Sequence, residues 1–110
     1  MAKALDFNKI KKRYFTVTLA DDQNTKLMIC TPTKEIMDEF ISMNDSLRAE
    51  NMGDDAIDEL YELCAKIMSR NKGGIKITKK ELDSILDFED VILFIQSYTE
   101  FINELVNSKN

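Results

Sequence analysis

Apolar and polar residues alternate over residues 14–20, with Phe15, Val17 and Leu19 on one side and Tyr14, Thr16 and Thr18 on the other. A period of two built from β-branched and aromatic residues predicts a strand whose odd-numbered face is buried. The polar segment Asp21-Asp22-Gln23-Asn24-Thr25 follows. Lys26-Leu27-Met28-Ile29-Cys30 then adds Leu27 and Ile29 to the same apolar side, so residues 13–30 read as a β-hairpin. A two-stranded hairpin is marginal by itself in water. Helices must cover its apolar face, or its open edges must pair with another chain.

Beyond Cys30 the period lengthens to that of a helix. Thr31 suits an N-cap, Pro32 the first helical position and Glu35 the positive helix end, which predicts a helix starting at Pro32. Ile36, Met37, Phe40, Ile41, Met43 and Leu47 then recur at three- and four-residue spacing until the polar run Arg48-Ala49-Glu50-Asn51. Gly53-Asp54-Asp55 marks a turn and a second N-cap, and Ile57, Leu60, Tyr61, Cys64, Ile67 and Met68 form the next stripe. Asn71-Lys72-Gly73-Gly74 closes that helix, because glycine tolerates the left-handed backbone and basic residues complement the negative helix end.

Ile75-Lys76-Ile77 is a short extended piece and a candidate third strand, while Thr78 and Glu81 have the spacing of a capping box. A short third helix near residues 79–86 is expected. Asp87-Phe88-Glu89-Asp90 restarts helix formation, and Phe88, Val91, Ile92, Ile95, Tyr98, Phe101, Ile102 and Leu105 carry the longest stripe. Leu93, Phe94 and Val106 widen it beyond one face, so this helix is either central in the core or offers a second apolar surface to another molecule. The fold class predicted is α+β: one domain over residues 1–110, with a basic leader at 1–12, the hairpin at 13–30 and a helical part at 32–108. The hairpin packs against three or four helices.

With 110 residues, 44% hydrophobic and 32% charged, and only one proline and three glycines, the chain has the composition of a compact globular domain. Its formal net charge of -5 argues against nucleic-acid binding through counterion release. The charge is blocked along the sequence: residues 1–31 carry six basic and three acidic side chains, 32–70 four and ten, 71–82 four and one, 83–110 one and six. Acidic helices against a basic hairpin and connector predict a bipolar surface, able to stack head to tail or to dock a partner of mixed charge.

Little in the chain suits bond-making chemistry. Histidine is absent, and Cys30 and Cys64 lie in apolar contexts without CxxC spacing, so neither a metal site nor a disulfide framework is expected. The cysteines read as small core hydrophobes of a protein in a reducing cytoplasm. The longest apolar run, Val91-Ile92-Leu93-Phe94-Ile95, is too short to span a membrane. Gly73-Gly74 lacks the remaining spacing of a phosphate loop. Carboxylates cluster at Asp54, Asp55, Asp58, Glu59 and Glu62 and at Asp87, Glu89 and Asp90, where helix starts and solvated faces account for them. We expect a non-enzymatic protein with no cofactor.

Leu5-Asp6-Phe7-Asn8-Lys9-Ile10-Lys11-Lys12, then Tyr14-Phe15-Thr16-Val17-Thr18-Leu19 and Thr31-Pro32-Thr33-Lys34, resemble small prophage proteins encoded in tail-gene clusters of low-GC bacteria. Met68-Ser69-Arg70-Asn71-Lys72, Ile77-Thr78, Asp87-Phe88-Glu89-Asp90, Tyr98 and Phe101-Ile102 continue the resemblance. It implies a phage tail assembly chaperone-like protein, a group of small, acidic, helix-rich proteins that bind the tail tape-measure protein and keep its long apolar helices soluble. It brings no catalytic residues, and the hairpin with its basic leader departs from the largely helical character of that group. Six methionines, surplus aliphatics on the last helix and net acidity suit such a holder. The partner-contact candidates are Met37, Ile41, Phe94, Tyr98, Phe101 and Leu105. Alternatives are a self-assembling structural subunit of a phage particle, joined through hairpin edges or bipolar ends, and an acidic inhibitor of a host nucleic-acid enzyme, in which residues 54–62 imitate phosphates.

Overall fold

The computed structural model describes residues 5–7, 10–47 and 53–107. Two strands, β1 (Phe15–Thr18) and β2 (Lys26–Ile29), precede four helices: α1 (Lys34–Leu47), α2 (Asp54–Ser69), α3 (Lys79–Ile85) and α4 (Phe88–Asn107). The architecture is α+β, as the change of period predicts. The polar run 48–51, residues 1–4 and 8–9 of the leader, and residue 108 lie outside the described residues.

The strands pair antiparallel, with Phe15 opposite Ile29 and Val17 opposite Leu27. Leu19, Leu27 and Ile29 are buried, and Phe15 and Val17 are half-buried against the core, so the odd-numbered face is the inner one. The turn is built by Asp21, whose two carboxylate oxygens accept from the Thr25 amide at 2.8 Å and the Thr25 hydroxyl at 2.6 Å. Asn24 takes a left-handed φ of 50°, which its short polar side chain tolerates.

The starts of α1, α3 and α4 follow the capping logic, with one shift at α1, while α2 starts from Gly53 with no side-chain cap. Thr33, not Thr31, caps α1: its hydroxyl accepts from the Ile36 amide and its carbonyl from the Met37 amide. The Thr31 carbonyl is taken by Arg70 Nε at 2.7 Å, which holds Thr31 and Pro32 in the connection outside the helix. Thr78 and Glu81 form the reciprocal capping box of α3. Asp87 and Asp90 do the same at α4: the Asp90 amide donates to Asp87 Oδ1 and the Asp87 amide to Asp90 Oδ2.

Residues 75–77 do not form a third strand. The Ser69 hydroxyl donates to the Ile77 carbonyl and accepts from the Ile77 amide, while Asn71 holds both the amide and the carbonyl of Ile75. With side chains satisfying its backbone, this piece has no need of a ladder. The residues that join the sheet instead follow α2 directly: the Cys30 amide donates to the Arg70 carbonyl and the Lys72 amide to the Met28 carbonyl. α2 ends at Ser69, and the left-handed glycine, Gly74 at φ 68°, sits in the connector turn rather than at the helix end.

The central helix is α2. It packs against α1, α3, α4 and β2, and it buries Leu63 and Ala65 besides Leu60, Cys64, Ile67 and Met68. Around it, α4 buries Val91, Phe94, Ile95, Tyr98 and Phe101, at the spacing of one helix face. Phe15 stands 5.5–6.0 Å, centroid to centroid, from the rings of Phe94, Tyr98 and Phe101, and Phe40 meets Tyr98 edge-on at 5.4 Å. Burying each of these rings contributes about 1.5–3 kcal/mol, so the aromatic group is the main link between the hairpin, α1 and α4.

Candidate protein-docking surfaces

The six partner-contact candidates are not gathered on one surface. Phe94, Tyr98 and Phe101 point inward and make up the aromatic core just described. Met37 and Leu105 are half-buried, and Ile41 stands on the solvent side of α1 with 53% of its surface exposed. On α4 the surplus apolar positions divide: Phe94 completes the core, whereas Leu93 and Val106 are 60% and 77% exposed. A partner reaching the folded chain meets Ile41, Leu93 and Val106 rather than the aromatic residues.

A groove of about 500 Å³ runs between α1 and α2, lined by Asp38, Glu39, Ser42, Met43, Glu59, Glu62, Leu63 and Lys66. Met43 and Leu63 make its apolar floor, and four carboxylates face one ammonium along its walls. Lys66 crosses the groove to Glu39, with Nζ to Oε1 at 2.9 Å and to Oε2 at 3.1 Å. That hydrogen bond raises the lysine above its ordinary pKa and keeps it charged. Glu39 is occupied by Lys66 and Asp38 by Lys34 at 2.9 Å. Among the described residues Glu59 and Glu62 make no ion pair, and they leave the α2 wall negative. The sequence carried a signal for this groove: Glu39 precedes Met43 and Glu59 precedes Leu63 by four residues, which stacks an acid beside an apolar residue on each helix.

No family model, curated protein or solved structure matches this chain. Its surfaces are therefore read from their own chemistry. Among the described residues no three His, Cys, Asp or Glu side chains come together as a metal ion would need, and no helix is long and apolar enough to cross a membrane. Cys64 lies fully buried in the core, and desolvation pushes its thiol up to about 12. Cys30 is half-buried at the end of β2. Neither thiol is paired in a disulfide.

A second groove, of about 250 Å³, lies between β1 and the first half of α4, with Val17, Leu19, Leu86, Leu93 and Phe94 among its lining residues. It adjoins the outer edge of β1. Because Met28 and Cys30 bond outward to residues 70–72, the Thr16–Met28 pair is of the non-hydrogen-bonded kind, and the alternation leaves the amides and carbonyls of Thr16 and Thr18 pointing away from β2. Among the described residues nothing bonds to that edge.

Proposed function

We propose that this chain is a non-enzymatic factor of phage tail morphogenesis, an assembly chaperone that holds apolar helices of the tape-measure protein, and that the groove between α1 and α2 is where a helix docks. One observation carries the docking site: an adaptable apolar floor of Met43 and Leu63 between acidic walls. An amphipathic helix lays its apolar face into such a groove, and basic residues flanking that face meet Glu59 and Glu62. The tail assignment draws its support from the resemblance of the hairpin, connector and α4 sequences to tail-cluster proteins.

Co-purification with a co-expressed tape-measure protein tests both parts. Wild-type protein should retain the partner, and Met43→Glu, on a half-buried groove residue, should lose it while keeping the native helix content. Failure of the wild-type chain to bind overturns the tail reading, and full binding by folded Met43→Glu overturns the groove. Phe101→Asp is not a usable probe of the surface, because Phe101 is buried against Phe15 and Tyr98 and a charge there unfolds the chain. A second reading, a self-assembling structural subunit of the particle, draws on the unpaired edge of β1.

A further inference from the structure

Two apolar surfaces of this chain stand open to solvent, and they carry opposite charge. The first is the leader. Leu5, Phe7 and Ile10 are 70%, 69% and 40% exposed, a cluster within residues 5–10 rather than the scattered exposure that needs no explanation. Residues 5–13 hold four basic side chains against one acidic. Of these, Lys11 and Lys12 are exposed and make no ion pair among the described residues. The second surface is the α1–α2 groove, with Met43 and Leu63 on its floor and the unpaired Glu59 and Glu62 on its wall. We infer that the leader of one copy docks in the α1–α2 groove of another, so that this chain self-associates through that groove.

Charge and size both select this occupant. The leader's lysines meet Glu59 and Glu62, which steers the encounter, while its apolar side chains cover Met43 and Leu63. Lys66 repels the incoming lysines less than a free ammonium would, because Glu39 holds it at 2.9 Å. A volume of about 500 Å³ suits a few side chains, since pockets for small ligands run from about 300 to 1,000 Å³. Leu5 and Phe7 do not fill their own groove but stand in solvent, so a second copy can take them with no change in either fold. This docking rests on the groove proposed above for a tape-measure helix, and the two ligands compete for it.

Sedimentation equilibrium over a concentration series tests the association, and fluorescence anisotropy of a labelled synthetic peptide of residues 3–13 tests the site. The mass of the wild-type chain should rise reversibly with concentration and fall as salt is added. Lys11→Glu with Lys12→Glu, on exposed side chains, should weaken association on the order of tenfold. Glu59→Lys with Glu62→Lys should do the same, and combining the four exchanges should restore it. The peptide should bind the full chain carrying the leader exchanges, which brings no competing leader, and a Phe7→Ser peptide should bind on the order of tenfold more weakly. That same leader variant keeps its groove and should still hold the tape-measure protein, so loss of self-association and loss of that partner are read separately. A wild type that stays monomeric at the highest soluble concentration overturns the association, even where the free peptide binds. Association indifferent to the leader exchanges, or left unrestored by the combined four, overturns the pairing of leader with groove, as does a peptide that does not bind.

Discussion

Ser69 and Ile77 are joined twice: the serine hydroxyl donates to the isoleucine carbonyl at 2.8 Å and accepts from its amide at 2.9 Å. One side chain at the end of α2 thereby satisfies both backbone groups of a buried residue eight positions later, and α3 starts from a fixed point. Ser69→Ala leaves both Ile77 groups without their partner and should destabilise the protein by about 1–3 kcal/mol. Urea unfolding measures this as a lowered midpoint with an unchanged slope.

Tyr98 has almost no exposed surface and touches rings from β1, α1 and α4. Tyr98→Ala should cost about 3–5 kcal/mol, a large part of the stability of a domain this size. Tyr98→Phe keeps the ring contacts and should cost less than about 1.5 kcal/mol. Thermal unfolding of the two variants separates ring packing from the hydroxyl. Equal losses would mean that the hydroxyl, not the ring, holds the site.

Burial raises the Cys64 thiol from 9.0 to about 12 and the Tyr98 hydroxyl from 10.0 to about 12, the nearby Arg70 partly opposing the latter. Both groups are neutral in the fold and ionise more readily in the unfolded chain. Their contribution is complete below pH 9.0 and is lost as pH rises toward 12. Unfolding free energy should therefore fall through that window, by up to about 1.4 kcal/mol per pH unit for each group. Cys64→Ala, though less stable overall, should show a shallower fall.

The same burial separates the two thiols kinetically. At neutral pH iodoacetamide should modify half-buried Cys30 in the native protein, and Cys64 only as fast as the molecule opens. Peptide mapping over time distinguishes them. Equal rates would show that α2 does not shield Cys64.

In the hairpin turn, the side-chain hydrogen bond from Thr25 holds the Asp21 carboxyl below its ordinary value of 3.8, and the Thr25 amide adds to the effect. A depressed carboxylate stabilises the folded turn above pH 3.8, and the contribution disappears as pH falls through the lowered value. NMR titration should find Asp21 protonating below its ordinary value, and Thr25→Ala should return it toward that value.

Features encoded within a few residues were legible in the sequence. The alternation of Phe15, Val17 and Leu19, the Thr78–Glu81 box and the acids that open α4 each depend on neighbours along the chain, and each appears as read. Features decided by distant contacts were not. Thr31 is as good a cap as Thr33 until Arg70 claims its carbonyl. Residues 75–77 alternate like a strand, but Ser69 and Asn71 answer their backbone groups first. Leu63 and Ala65 lie off the single stripe of α2 and are buried because elements surround that helix on several sides. The α1–α2 groove was legible only in part: the Glu39–Met43 and Glu59–Leu63 spacings mark its walls, but its shape arises only when Glu39 and Lys66 meet across it.

The stacking of Phe15 on Phe101 has a consequence for biosynthesis. A ribosome delivers the hairpin long before the helix that covers it. During that interval Phe15, Val17 and an unpaired strand edge are displayed on a nascent polypeptide, the condition in which chains associate with the wrong neighbours. Productive folding of the hairpin must wait for α4 to emerge and cover that face.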